Sequence, residues 1–142
     1  MKFIAPDAKI LLIDDVIPNL ELAKSLLKPY KMQVDFCSSS LEAIELVKSQ
    51  DYDIVFMDHM MPGMDGIEAT VVIRAWERER QKDAAKAREQ VPIIALTANI
   101  IPWMRDVYIE QGFNDFLSKP IEIPELYEIL VRWLPEEKKL II

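Results

Sequence analysis

The chain has 142 residues, 51% of them apolar and 29% charged, and a formal net charge of −7. That length suits one ordinary domain with a full hydrophobic core, and the acidic balance excludes a basic nucleic-acid footprint, so no direct nucleic-acid contact is expected. A single cysteine, Cys37, excludes an intrachain disulfide, and no apolar run is long enough to span a bilayer.

The opening "MKFIAPDAK" lacks the apolar core of a secretory signal, so a cytoplasmic location is expected, with no membrane contact by this domain. "KILLI", Lys9 to Ile13, does not alternate and reads as a first strand buried on both faces. Pro18 suits a first helical turn, and Leu20, Ala23, Leu26 and Leu27 form one apolar helical face that Pro29 ends. "MQVDFC", Met32 to Cys37, alternates like a strand nearer the sheet edge. "SSSLEAIELVKSQ" then offers a serine cap and an apolar face of Leu41, Ile44 and Val47. "YDIVFM" is a third buried strand, and a third helix starts near Gly66 with Ile67, Val71 and Ile73 available to pack.

Glu77 to Gln90, "ERERQKDAAKAREQ", is the one long polar run and reads as a solvated extension of the third helix or a surface loop. "VPIIAL" is a fourth strand, with Pro92 at its start, where a missing N–H is tolerable. Pro102 biases Ile101 away from the helical region, so "TANII" reads as a loop and the fourth helix as beginning near Pro102. Gly112 closes that helix, "NDFLS" is a fifth strand, and Pro124 opens a last helix carrying Leu126, Leu130, Trp133 and Leu134. Strands alternating with helices predict an open parallel sheet covered on both faces. A single domain over residues 1–142 is expected, its core at about 8–135 between a short leader and the tail "PEEKKLII".

In such sheets ligands gather at the carboxyl ends of the strands. There the sequence places Asp14 and Asp15 after the first strand, Asp58 after the third, Thr97 after the fourth, and Ser118 and Lys119 after the fifth. Three carboxylates held close together repel, and one takes up a proton unless a cation is present. Oxygen ligands of this kind suit Mg²⁺, which binds one or two carboxylates plus a phosphate. Lys119 is a point-charge partner for phosphate, Thr97 a hydroxyl donor, and a carboxylate is itself a nucleophile toward phosphorus. The set reads as an acceptor for a phosphoryl group.

At these positions the chain resembles the receiver domain of two-component response regulators. The resemblance rests on "LLIDD" (Leu11 to Asp15), "VFMDHMMPGMDG" (Val55 to Gly66), "IIALTAN" (Ile93 to Asn99) and "FLSKP" (Phe116 to Pro120), in the family's order over nearly the whole chain. "DHMMPGMDGIEAT", "PIIALTAN" and "GFNDFLSKPI" are most similar to receivers attached to hybrid sensor histidine kinases. The resemblance implies a flavodoxin-like, doubly wound, five-stranded parallel sheet of order 2-1-3-4-5 with five helices in three αβα layers. It implies that Asp58 accepts a phosphoryl group from a histidine kinase or histidine phosphotransfer domain. Mg²⁺, or Mn²⁺ in its place, would be held by Asp15, Asp58 and the Met60 carbonyl, with Asp14 reaching it largely through water. Lys119 would pair with the phosphoryl oxygens, ahead of a cis Lys119–Pro120 peptide. Thr97 and Phe116 would switch, reshaping the face made by the fourth helix, fifth strand and fifth helix for a downstream target or attached output domain. Met60 and Asn99 would tune how long the phosphate lasts, and an apolar Met60 cannot position an attacking water. A homodimer through the fourth-helix face stays open, as does a location on the cytoplasmic portion of a membrane-bound sensor.

Blander roles compete at several positions. His59 reads as a loop residue tuning access, and Met57, Met60, Met61 and Met64 as packing residues. Cys37 reads as a small core residue, and Trp103 and Tyr108 as core or as part of an exposed contact patch. Two other functions share these residues. A phosphohydrolase with an aspartyl nucleophile would need a second acid where Met60 stands. A phosphorylation-independent interaction module would be expected to lack the acceptor or the lysine.

Overall fold

The computed structural model describes residues 2–59, 61, 63–85, 89–98 and 102–142, the side chains of 102 and 103 excepted. The chain runs β1 (Phe3–Ile4), β2 (Lys9–Ile13), α1 (Ile17–Leu27), β3 (Gln33–Cys37), α2 (Ser40–Ser49), β4 (Ile54–Asp58), α3 (Gly66–Gln81), β5 (Ile93–Thr97), α4 (Pro102–Gln111), β6 (Asp115–Ser118), α5 (Ile123–Trp133) and β7 (Leu140–Ile141). Five strands form one parallel sheet in the order β3-β2-β4-β5-β6. Counting those five alone in chain order gives 2-1-3-4-5, the flavodoxin-like arrangement that the resemblance implied.

Side chains alternate across a strand, so each central strand feeds two cores. Ile10, Leu12, Ile54, Phe56, Ile94 and Leu96 face a layer containing Leu20, Ala23 and Leu27 of α1 and Leu126, Ile129 and Leu130 of α5. Leu11, Ile13, Val55, Met57, Ile93 and Ala95 face Ile44 and Val47 of α2, Ala69 and Ile73 of α3, and Tyr108 of α4. The continuous apolar runs of β2, β4 and β5 follow from this burial on both sides.

Two helical faces differ from expectation. In α2 the buried residues are Ser40, Ala43, Ile44 and Val47, whereas Leu41 is 66% exposed. Ser39 caps the helix by accepting from the Glu42 N–H at 3.2 Å, and Ser40 turns inward to donate to the Met64 carbonyl at 2.7 Å. That pair of bonds sets the helical phase and turns Leu41 outward. In α3, Ile73 is buried and Ile67 partly buried, but Val71 is exposed.

The inward face of α3 also carries charge. Arg74 and Glu77 are buried and form an ion pair at 2.7 Å. Arg74 Nε donates to the Gly112 carbonyl at 2.9 Å and Nη2 to Asn114 Oδ1 at 2.6 Å, while Glu77 Oε2 accepts from the Val91 N–H at 2.8 Å. Glu77 is therefore no part of a solvated run: it closes a polar clamp between α3, the entry to β5 and the α4–β6 corner. The rest of the described run is exposed or partly so. At that corner Gly112 takes φ +112°, a left-handed conformation that suits glycine at a helix end.

The leader and the tail come together. Phe3 pairs with Ile141 and Ile4 with Leu140 in a small antiparallel ladder, and the Phe3 ring sits 5.1 Å from that of Tyr30 and 6.0 Å from that of Tyr127.

Candidate functional site

Register assembles the site. Ile13 pairs with Met57, which sets Asp14 and Asp58 side by side at the carboxyl ends of β2 and β4. Asp58 pairs with Leu96, so Thr97 follows one step along β5. Thr97 pairs with Ser118, and the Lys119 N–H donates to the Thr97 carbonyl at 2.9 Å, which brings Lys119 to the same edge. Residues 105 positions apart in sequence thus become neighbours because parallel strands end together.

Asp14, Asp58 and Thr97 are buried, and Asp15 is partly exposed. One carboxylate oxygen from each of Asp14, Asp15 and Asp58 lies within 4.8 Å of the others. Lys119 Nζ stands 3.1 Å from Asp58 Oδ1 and 3.5 Å from Asp14 Oδ2. Three carboxylates against one ammonium leave two negative charges in a partly buried pocket, the amount that a divalent cation cancels. The all-oxygen donor set fits Mg²⁺. The Lys119–Pro120 peptide is cis.

The surrounding residues support this edge. Phe116 is buried, its ring 5.5 Å from that of Tyr108 and beneath the Arg105 guanidinium at 5.4 Å. Tyr108 is 1% exposed, so it is core. His59 packs edge-on against Tyr108 with centroids 5.6 Å apart, and its Nδ1 lies 3.3 Å from the Leu96 carbonyl. Met57 and Met61 are buried and Met64 packs partly buried against the same core. Burial pushes the Cys37 thiol up to about 12, so it stays protonated and unreactive. Met60, Asn99 and the Trp103 side chain, each expected to matter, lie outside the described residues.

The response regulator receiver domain model matches residues 10–131. The chain belongs to this family. The receiver domain is 35% identical over 125 residues to the sensor protein GacS of Pseudomonas syringae, covering 88% of this chain and 13% of that protein. It is 34% identical to the transcription factor SKN7 of Saccharomyces cerevisiae, covering 89% of this chain and 19% of that one. These relatives are thus much longer than this chain. Among solved structures, the receiver domain of the sensor histidine kinase PA1611 of Pseudomonas aeruginosa, with magnesium coordinated in its active-site cleft, matches at 36% identity and TM-score 0.74. That match covers 89% of this chain and 96% of the other. The receiver domain structure of Ssk1 with the histidine phosphotransfer protein Ypd1, from Saccharomyces cerevisiae, matches at 27% identity and TM-score 0.83, covering 95% of this chain and 94% of that one.

Two residues of the receiver domain site were not singled out as site residues from the sequence alone. Asn19, in the first turn of α1, donates from Nδ2 to Asp14 Oδ2 at 3.1 Å. Gly66, read only as the start of a helix, abuts the backbone of Asp58. The signal for Gly66 was its rarity, since the chain has 3 glycines. Asn19 carried no such signal, because its partner is set by how α1 leaves β2.

Proposed function

We propose that this receiver domain takes a phosphoryl group onto Asp58 from a phosphohistidine on a kinase or phosphotransfer partner. The observation that carries the reading is Lys119 Nζ 3.1 Å from Asp58 Oδ1, with the Asp14 and Asp15 carboxylates beside it. An Asp58 carboxylate oxygen attacks phosphorus, the P–N bond breaks, and the imidazole leaves with the electron pair and regains a proton from solvent. Lys119 holds the phosphoryl oxygens as a point charge. Asp15 and Asp58, with the Met60 carbonyl, would hold Mg²⁺ directly, and Asp14 through water. When bound, Mg²⁺ neutralises the charge that otherwise opposes an anion approaching an anion.

Thr97 and Phe116 then carry the signal outward. Thr97, at the end of β5, turns its hydroxyl to the phosphoryl group, and Phe116, already packed inside against Tyr108, holds the inward position in which the α4–β6–α5 face is shaped for a downstream partner. The similarity to GacS and to a receiver crystallised with a phosphotransfer protein supports a place in a phosphorelay, in the cytoplasm or on the cytoplasmic side of a sensor. The test is incubation with acetyl phosphate and Mg²⁺. One acid-stable, base-labile phosphate should be added and be lost in Asp58→Asn. Mg²⁺ binding without that adduct would favour an interaction module instead.

A further inference from the structure

The Asp14 carboxylate is held from both sides. Its Oδ1 accepts from the Val16 N–H at 2.9 Å, and its Oδ2 accepts from Asn19 Nδ2 at 3.1 Å. The same Oδ2 lies 3.5 Å from Lys119 Nζ, which in turn stands closer, 3.1 Å, to Asp58 Oδ1. One ammonium is therefore shared between two acids, and at Asp14 Oδ2 the Asn19 amide is a nearer donor than Lys119. The Asp14 side chain is 3% exposed, so water does not readily replace a lost donor.

We infer that Asn19 is a positioning residue that sets how Lys119 is divided between Asp14 and Asp58. By supplying a neutral donor to Asp14 Oδ2, the amide reduces the pull of Asp14 on Lys119. The ammonium then stays at Asp58, where phosphoryl oxygens arrive. Remove the amide, and Oδ2 has Lys119 as its remaining described side-chain donor; the charge moves toward Asp14 and away from the acceptor. This rests on the acceptor reading of Asp58, and it assigns a role in that chemistry to a residue outside the groups read as holding phosphate or metal.

The test compares Asn19→Leu, close in shape but without a donor, with the parent protein, and carries Asn19→Ala as a second variant for a partly exposed helical position. Mg²⁺ affinity is measured by calorimetry on the unphosphorylated protein, and the rate of phosphorylation by acetyl phosphate at saturating Mg²⁺. The rate should fall roughly tenfold, the lower end of what removal of a ligand-orienting group costs, while the Mg²⁺ Kd changes by less than about threefold. A crystal structure of the variant should show Lys119 Nζ moved toward Asp14. In an Asp14→Asn background, where the acid no longer competes for Lys119, Asn19→Leu should cause little further loss. A residue that merely stabilised α1 would slow both backgrounds equally, and that result overturns the inference. So does a parental rate in both Asn19 variants, or a loss expressed wholly in Mg²⁺ affinity. Asp58→Asn is run alongside: if the parent gains no phosphate that this change abolishes, the acceptor reading fails and the role of Asn19 falls with it.

Discussion

Gly66 lies flat against Asp58: a methyl group on Gly66 would stand 2.2 Å from the Asp58 carbonyl oxygen and 2.8 Å from the His59 Cα. The Gly66 N–H also donates to the His59 carbonyl at 3.2 Å. The first turn of α3 thus docks on the backbone that carries the acceptor. Gly66→Ala must push the two apart, because the two nearest clashing atoms are backbone, and the Met57 Cγ at 2.9 Å clashes as well. We expect a loss of about 1–3 kcal/mol in denaturant unfolding, the usual cost of overpacking, together with slower phosphorylation of Asp58. An unfolding midpoint equal to that of the parent would show that α3 can be displaced without cost.

The excess negative charge at the site predicts a strong metal effect on stability. At Mg²⁺ concentrations near a hundred times Kd, binding to the folded state alone adds about 2.7 kcal/mol. Chelation should remove that gain, and thermal unfolding with and without EDTA measures it. Asp58→Asn should show a smaller gain, since one of the clustered carboxylates is gone. An undiminished gain in that variant would place the metal elsewhere.

Breaking the clamp behind the site should be costly. The Arg74 and Glu77 side chains are 5% and 8% exposed, and Glu77→Ala takes the carboxylate from the buried guanidinium, leaving it only its neutral acceptors, and takes the acceptor from the Val91 N–H. A loss of about 3–5 kcal/mol is expected, as for other buried pairs cut on one side. Glu77→Gln, which keeps an acceptor, should lose less, and urea unfolding of the two variants makes the comparison.

Tyr108 predicts the opposite sign. Its ring is packed among His59, Phe113 and Phe116, but its buried hydroxyl has no hydrogen-bond partner among the described residues. Tyr108→Phe keeps the packing and removes the orphan, so the protein should gain on the order of 1 kcal/mol. A loss of stability on thermal unfolding would mean that the hydroxyl is satisfied.

Alkaline pH should weaken the fold. The Cys37 thiol, ordinarily near 9.0, is pushed up to about 12 by burial. Above about pH 9 the unfolded chain therefore sheds a proton that the folded chain keeps, and stability falls with rising pH, by at most ~1.4 kcal/mol per pH unit from this group. Burial raises Tyr30 and Tyr52 in the same sense. Urea unfolding across that window should show a flatter slope for Cys37→Ala than for the parent; equal slopes would exclude the thiol as a contributor.

The elements were legible because their causes are local. Unbroken apolar runs such as "KILLI" report burial on both faces, Pro18 and Pro124 mark first helical turns, and acids placed just after such runs lie at strand ends wherever the strands sit. Phase and pairing were less so. Leu41 points outward because Ser40 bonds the Met64 carbonyl across 24 residues, and Glu77 is buried because Arg74 and the Val91 N–H wait for it. The Ser40–Met64 and Glu77–Val91 bonds join separate segments of the chain, which periodicity does not record. The same division runs through the site. Asp14, Asp15, Asp58, Thr97 and Lys119 were visible in the sequence as residue types at strand ends. Only parallel register put Lys119 between two of the acids, and only the exit of α1 from β2 brought the Asn19 amide to Asp14. Composition and spacing determine which groups are offered; packing of the sheet and helices decides which of them share a charge.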